Sequence, residues 1–195
     1  ALELGDEAVV TVDGFSLEGR AMRNVRQMVT RVARNGYTAE FRRTGELSRE
    51  ELRALAELAD SWRGGSTERG FSMALGRIGG MGDERCVLAT AMENGELRAI
   101  QHFVPWGKDG LSLDLARRHP DLENGVMELM IAELLAAAPS RGVSRVSLNF
   151  AVFRSSLARG ERIGAGPLLR AWVGLLLVAS RRWQIASLYR ANAKF

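Results

Sequence analysis

Gly110-Leu111-Ser112-Leu113-Asp114-Leu115-Ala116-Arg117-Arg118, then Glu123-Asn124-Gly125 ahead of an apolar run to Ala138, then Val146-Ser147-Leu148-Asn149-Phe150, decide how this chain is read. Alternation in the first segment predicts a strand with Leu111, Leu113 and Leu115 on one face and Ser112 with Asp114 on the other. The last segment repeats the scheme, with Ser147 and Asn149 on its polar side. The run between them has helix length. A strand-helix-strand unit pairs its strands in parallel and gathers polar residues from the strand ends into one crevice. Asp114 and Asn149 are therefore candidate site residues, with Ser112 nearby. Asn124 and Gly125 open the helix, where unpaired backbone N–H groups favour anionic oxygen.

Working outward, Glu7–Val12 reads as a short strand and Leu17–Asn35 as a helix stopped by Gly36. At 100° per residue Arg20, Arg23, Arg31 and Arg34 fall within a stripe of roughly 80°, opposite Val25, Met28, Val29 and Val32. Such a stripe is either a solvated face or a track for phosphates on RNA or an anionic lipid surface. Tyr37–Arg43 reads as a strand. Ser48 and Glu51 form a capping box that opens a helix through Trp62, with Leu52, Leu55, Ala56 and Ala59 inward. Cys86–Met92 and Leu97–Val104 read as strands joined by a turn containing Asn94-Gly95, a hairpin signal. A meander of antiparallel strands thus feeds the strand-helix-strand unit, an α/β fold with a mixed sheet.

The chain has 195 residues, 46% of them hydrophobic, and a net charge of +4. That is enough for one well-buried domain. Cys86 is the single cysteine, which excludes an internal disulfide. His102 and His119 are the only histidines, which argues against a structural zinc site. A Ser-His or Cys-His catalytic pair would rest on these two positions, and neither has a local motif around it. No signal peptide and no P-loop are visible. The chain starts without methionine and ends at Lys194-Phe195, so it reads as a piece of a longer protein.

Ser112-Leu113-Asp114-Leu115-Ala116-Arg117, Glu123-Asn124-Gly125 and Ser147-Leu148-Asn149-Phe150-Ala151 resemble the catalytic domain of phosphatidylglycerol lysyltransferases, the bacterial multiple peptide resistance factor family. Asp6-Glu7-Ala8 with Phe15–Arg20, Trp62 with Thr67–Met73, and Tyr189–Phe195 resemble it too, in the same order along nearly the whole chain. The resemblance implies a GNAT-like acyltransferase fold, with residues 1–36 as the end of an upstream GNAT-like half and a basic connecting helix. Residues 37–195 would then be the aminoacyltransferase domain, truncated at its C-terminus. It implies lysyl transfer from lysyl-tRNA to a hydroxyl of phosphatidylglycerol, with no cofactor, at the cytoplasmic face of the plasma membrane. The product lowers the membrane's negative charge and gives resistance to cationic antimicrobial peptides. Membrane-spanning and GNAT-like portions upstream are further implied partners.

In this family Asp-x-x-Arg at the strand end is the catalytic signature, which points to Asp114 and Arg117. Otherwise Arg117 or Arg118 would serve Asp114 only as a structural ion pair. Asp114 would bind the substrate amine or move a proton, Arg117 would stabilise a phosphate or oxyanion, and Asn149 would touch the substrate. Glu68 borders the site by the same likeness. Arg117–Leu122 lacks the glycines with which acetyltransferases cradle a pyrophosphate, which disfavours an acetyl-CoA enzyme. Another aminoacyl-tRNA-dependent transferase, or a fragment that binds tRNA or lipid without turnover, are the alternatives. After Val152 a basic loop with Arg154, Arg159 and Arg162 leads to a helix begun by Gly166-Pro167. Its apolar run Ala171–Ala179 falls short of the about 20 residues a bilayer needs. Arg181, Arg182 and Trp183 at its end are either a basic cap on a core helix or a lipid-facing contact.

Overall fold

A computed structural model describes residues 5–63 and 76–152, with side chains for 8–63 and 76–148. The chain forms two compact units, Thr11–Val146 and Ala1–Val10 with Ser147–Phe195. The elements run β1 (Gly5–Thr11), α1 (Arg23–Arg34), β2 (Tyr37–Arg43), α2 (Arg49–Ser61), β3 (Val87–Glu93), β4 (Glu96–Trp106), β5 (Gly110–Arg118), α3 (Val126–Ala137) and β6 (Arg145–Val152). Within the Thr11–Val146 unit four strands form an antiparallel meander in the order β5-β4-β3-β2. In the other unit β1 neighbours β6.

Local chemistry accounts for the connections. Asn94 (φ 51°) and Gly95 (φ 87°) are the two left-handed residues of the β3–β4 hairpin, as the Asn-Gly pair predicts. Ser48 accepts from the Glu51 N–H at 3.1 Å and the Glu51 carboxylate accepts from the Ser48 N–H at 2.8 Å, completing the capping box of α2. Ala59 of α2 packs with Leu88 and Ile100, flanked by Leu47, Leu52, Leu55, Trp62, Ile78 and Leu97. The other face of the meander carries Ala89, Ala91, Ala99 and Phe103, all buried. α3 lies against β2 and β3 and touches α1. The alanines let the helical layer approach closely. The β4–β5 turn is fastened to the start of β6: the Ser144 N–H donates to the Asp109 carbonyl at 2.9 Å, and Arg145 lies 4.6 Å over the Trp106 ring.

α1 is shorter than its sequence pattern. It begins at Arg23 rather than Leu17, because Arg26 of its first turn donates to the Leu17 and Gly19 carbonyls and folds the preceding loop back on it. Gly19 in that loop takes φ 82°, outside helix. Arg20 therefore precedes the helix, while Val25, Val29 and Val32 face inward as expected.

Gly125 caps α3 at φ 104°, and a β-carbon there would lie 3.0 Å from the Met28 Cβ and 3.4 Å from Val32 Cγ1. The left-handed backbone and the tight α1 contact both demand glycine. Gly125→Ala should lower stability by about 2–4 kcal/mol. Gly95→Ala, at φ 87° with open space around it, should cost only about 1–2 kcal/mol. Urea denaturation of both variants measures the difference, and equal losses would contradict the packing argument.

Candidate active site

The central feature is an extra residue in β5. Opposite β4, His102 pairs with Leu115 and Phe103 with Leu113, so the register steps over Asp114. This is a β-bulge, and it shifts the alternation of everything after it. Val104 pairs with Ser112 and Ile100 with Arg117. Ser112, Leu115 and Arg117 therefore share the face of Ile100, His102 and Val104, whereas Leu111 and Leu113 take the other. The expectation that Leu111, Leu113 and Leu115 line one face is corrected: the bulge moves Leu115 across. It also turns Asp114 and Arg117, three apart in sequence, toward the same side.

His102 Nδ1 lies 3.1 Å from Asp114 Oδ2, with the side chains 0% and 1% exposed. Asp114 is thus enclosed rather than open to solvent. An ionised carboxylate only accepts, so this contact needs the imidazole proton on Nδ1. Among the described residues the buried Nε2 has no hydrogen-bond partner. In the sequence neither histidine carries a local motif. The available signal was two polar residues, Gln101 and His102, inside the apolar run Ile100–Val104. His119 has a different place: its N–H donates to the Arg98 carbonyl at 2.8 Å and its ring meets Trp62 edge-on at 6.2 Å. These contacts pin the turn that follows β5.

Glu123, Asn124 and Gly125 are tied to α1. Arg31 pairs with Glu123 at 3.0 Å and donates to the Asn124 carbonyl, while Asn35 donates to Glu123 at 2.9 Å. Of the arginine stripe, Arg31 is committed to these contacts. Arg20, Arg23 and Arg34 are exposed, and Arg34 helps line an open hollow with Arg26, Gln27, Thr30, Arg31 and Asn35. Asn149 lies in β6 with its side chain outside the described residues; Glu68, Arg181, Arg182 and Trp183 lie outside them altogether.

Within the Thr11–Val146 unit an antiparallel meander followed by α3 carries a carboxylate and an arginine that a bulge turns to one face, an α/β arrangement. A family model described as "Phosphatidylglycerol lysyltransferase, C-terminal" matches residues 1–195. The lysylphosphatidylglycerol biosynthesis bifunctional protein LysX of Rhodococcus jostii is 52% identical over 195 residues, 100% of this chain and 18% of its own length. That of Mycobacterium tuberculosis is 50% identical over 196 residues, 100% of this chain and 17% of its own. The chain thus spans under a fifth of these curated relatives. The solved L-PGS of Bacillus licheniformis matches at TM-score 0.63 and 26% identity, over 76% of this chain and 46% of that one. The C-terminal domain of an Agrobacterium fabrum protein shares the fold at TM-score 0.64 and 22% identity, over 82% and 50%. The chain belongs to the phosphatidylglycerol lysyltransferase C-terminal family.

Near this site Cys86 is buried, and burial first, then the Asp83 and Asp114 carboxylates, push its thiol up to about 11. The folded thiol holds its proton where an unfolded one ionises, so its stabilisation is present below about pH 8.5 and is lost as pH rises toward 11. Iodoacetamide at pH 8 should leave the native thiol unmodified, and Cys86→Ala should lose less stability than wild type between pH 9 and 11. Rapid alkylation of the native protein would contradict this environment.

Proposed function

We propose that this chain is the lysyl-transferring part of a longer protein, acting at the cytoplasmic face of the membrane. The lysyl group passes from its ester on tRNA to a hydroxyl of phosphatidylglycerol. The lipid oxygen attacks the ester carbonyl, the bond to the tRNA ribose breaks, and the hydroxyl proton ends on the departing ribose oxygen. One ester replaces another, so the step needs no nucleotide energy. The added lysine lowers the negative charge of the membrane and protects it from cationic antimicrobial peptides.

The observation that carries this reading is the bulge that turns Asp114 and Arg117 to one side, in a chain whose family is established along its whole length. Asp114, enclosed beside His102, takes the proton-handling role once bound substrate reaches it. Arg117 offers a guanidinium to the developing oxyanion or to a phosphate. Ser112 and Asn149 are polar substrate contacts, with Glu68 a second carboxylate for the lysyl ammonium. Asn124 and Gly125 serve indirectly, by joining α3 to α1. Arg23 and Arg34, with Arg20 before the helix, meet tRNA phosphates; Arg31 supports them through Glu123. Arg181, Arg182 and Trp183 face the lipid.

Radiolabelled lysyl-tRNA with phosphatidylglycerol vesicles tests the reading. The natural full-length protein should form labelled lipid, and Asp114→Ala should lower the rate by about 10²–10⁴-fold while the thermal transition remains cooperative. No labelled lipid from wild type, or full activity in the variant, would overturn it. Arg23→Glu with Arg34→Glu should weaken tRNA binding about equally for all tRNAs, and flatten its salt dependence. Unchanged affinity would remove the stripe from the donor site.

A further inference from the structure

We infer that His102 is a positioning residue for this reaction, its Nδ1–H fixing the orientation of the Asp114 carboxylate. The inference deepens the transferase reading and rests on it. The sheet itself holds the ring: His102 is paired with Leu88 on one side and Leu115 on the other, in the middle of the meander. Its Nδ1 then meets a carboxylate that the bulge has released from the regular pleat, at 3.1 Å. A bulge takes its extra residue out of the regular ladder, and this contact from the adjacent strand is one that holds its carboxylate in place.

The other ring nitrogen argues the same way. Nε2 is buried and lacks a partner among the described residues. As a packing residue alone, an imidazole is a poor choice at a site 0% exposed beside Leu88, because a bare nitrogen there gives up its water without recompense. Nδ1 is where the ring makes its contact. His102 touches Asp114 and acts through it.

Three substitutions in the full-length protein separate the roles. The amide nitrogen of Asn occupies nearly the place of Nδ1, that of Gln nearly the place of Nε2, and Phe keeps the bulk with neither donor. His102→Asn is expected to keep kcat within about tenfold, whereas His102→Gln and His102→Phe lose about 100-fold in kcat with little change in KM for lysyl-tRNA. Retention in His102→Phe would reduce the residue to packing, and equal loss in His102→Asn and His102→Gln would remove Nδ1 donation. Either result overturns the inference.

Nitrogen-15 NMR of the unmutated protein gives a readout independent of turnover and of variant folding. Protonated Nδ1 with bare Nε2 is expected, and the opposite tautomer would overturn the assignment. Absence of labelled lipid from wild type, with the expected tautomer present, would count against the transferase reading and leave the contact standing.

Discussion

One inserted residue, Asp114, sets the geometry on which the candidate site depends. A regular β5 would send Asp114 and Arg117 to opposite faces, since side chains alternate with period two. The bulge breaks that period at the carboxylate itself and brings both to the face shared by Ser112 and His102. The carboxylate is enclosed, and an enclosed charge left without a partner costs about 3–5 kcal/mol. The His102 imidazole meets that need from the neighbouring strand. The rest of the Thr11–Val146 unit holds the two strands in register: α2 against Leu88 and Ile100, α3 on the alanine-lined face, and the β4–β5 turn fastened through Asp109, Ser144 and Arg145.

Elements with strong local signals were legible in the sequence. β2 covers Tyr37–Arg43 as its pattern predicts, Ser48 and Glu51 open α2, and Asn94-Gly95 turns the hairpin. Each is written in neighbouring residues, where spacing and φ preference suffice. What was not legible depends on a second strand or helix. The bulge adds one residue to β5 without altering its composition, so a period-two reading runs straight through it and misplaces Leu115. His102 gains its meaning only when β4 lies beside β5. The start of α1 shifts by six positions because Arg26 reaches back to carbonyls of the preceding loop.

The same distinction sorts the site residues. Asp114 was found from its place on a polar strand face and from family likeness, but the direction it faces was not. Asn124 and Gly125 were read as an anion-favouring helix opening, and the helix does open there. Their neighbours are Arg31 and Met28 of α1, so the glycine answers first to a close helix contact. Arg31 shows how a periodic basic stripe divides once folded: one member braces the domain while Arg23 and Arg34 remain exposed on the helix.

The site's geometry rests on a one-residue bulge in β5 at Asp114. Cross-strand proton NOEs in the isotope-labelled protein test it most directly. Contacts should pair Leu113 with Phe103 and Leu115 with His102, with Asp114 skipped between them. A continuous ladder in which Asp114 pairs with His102 or Phe103 would contradict it, and would return Asp114 and Arg117 to opposite faces.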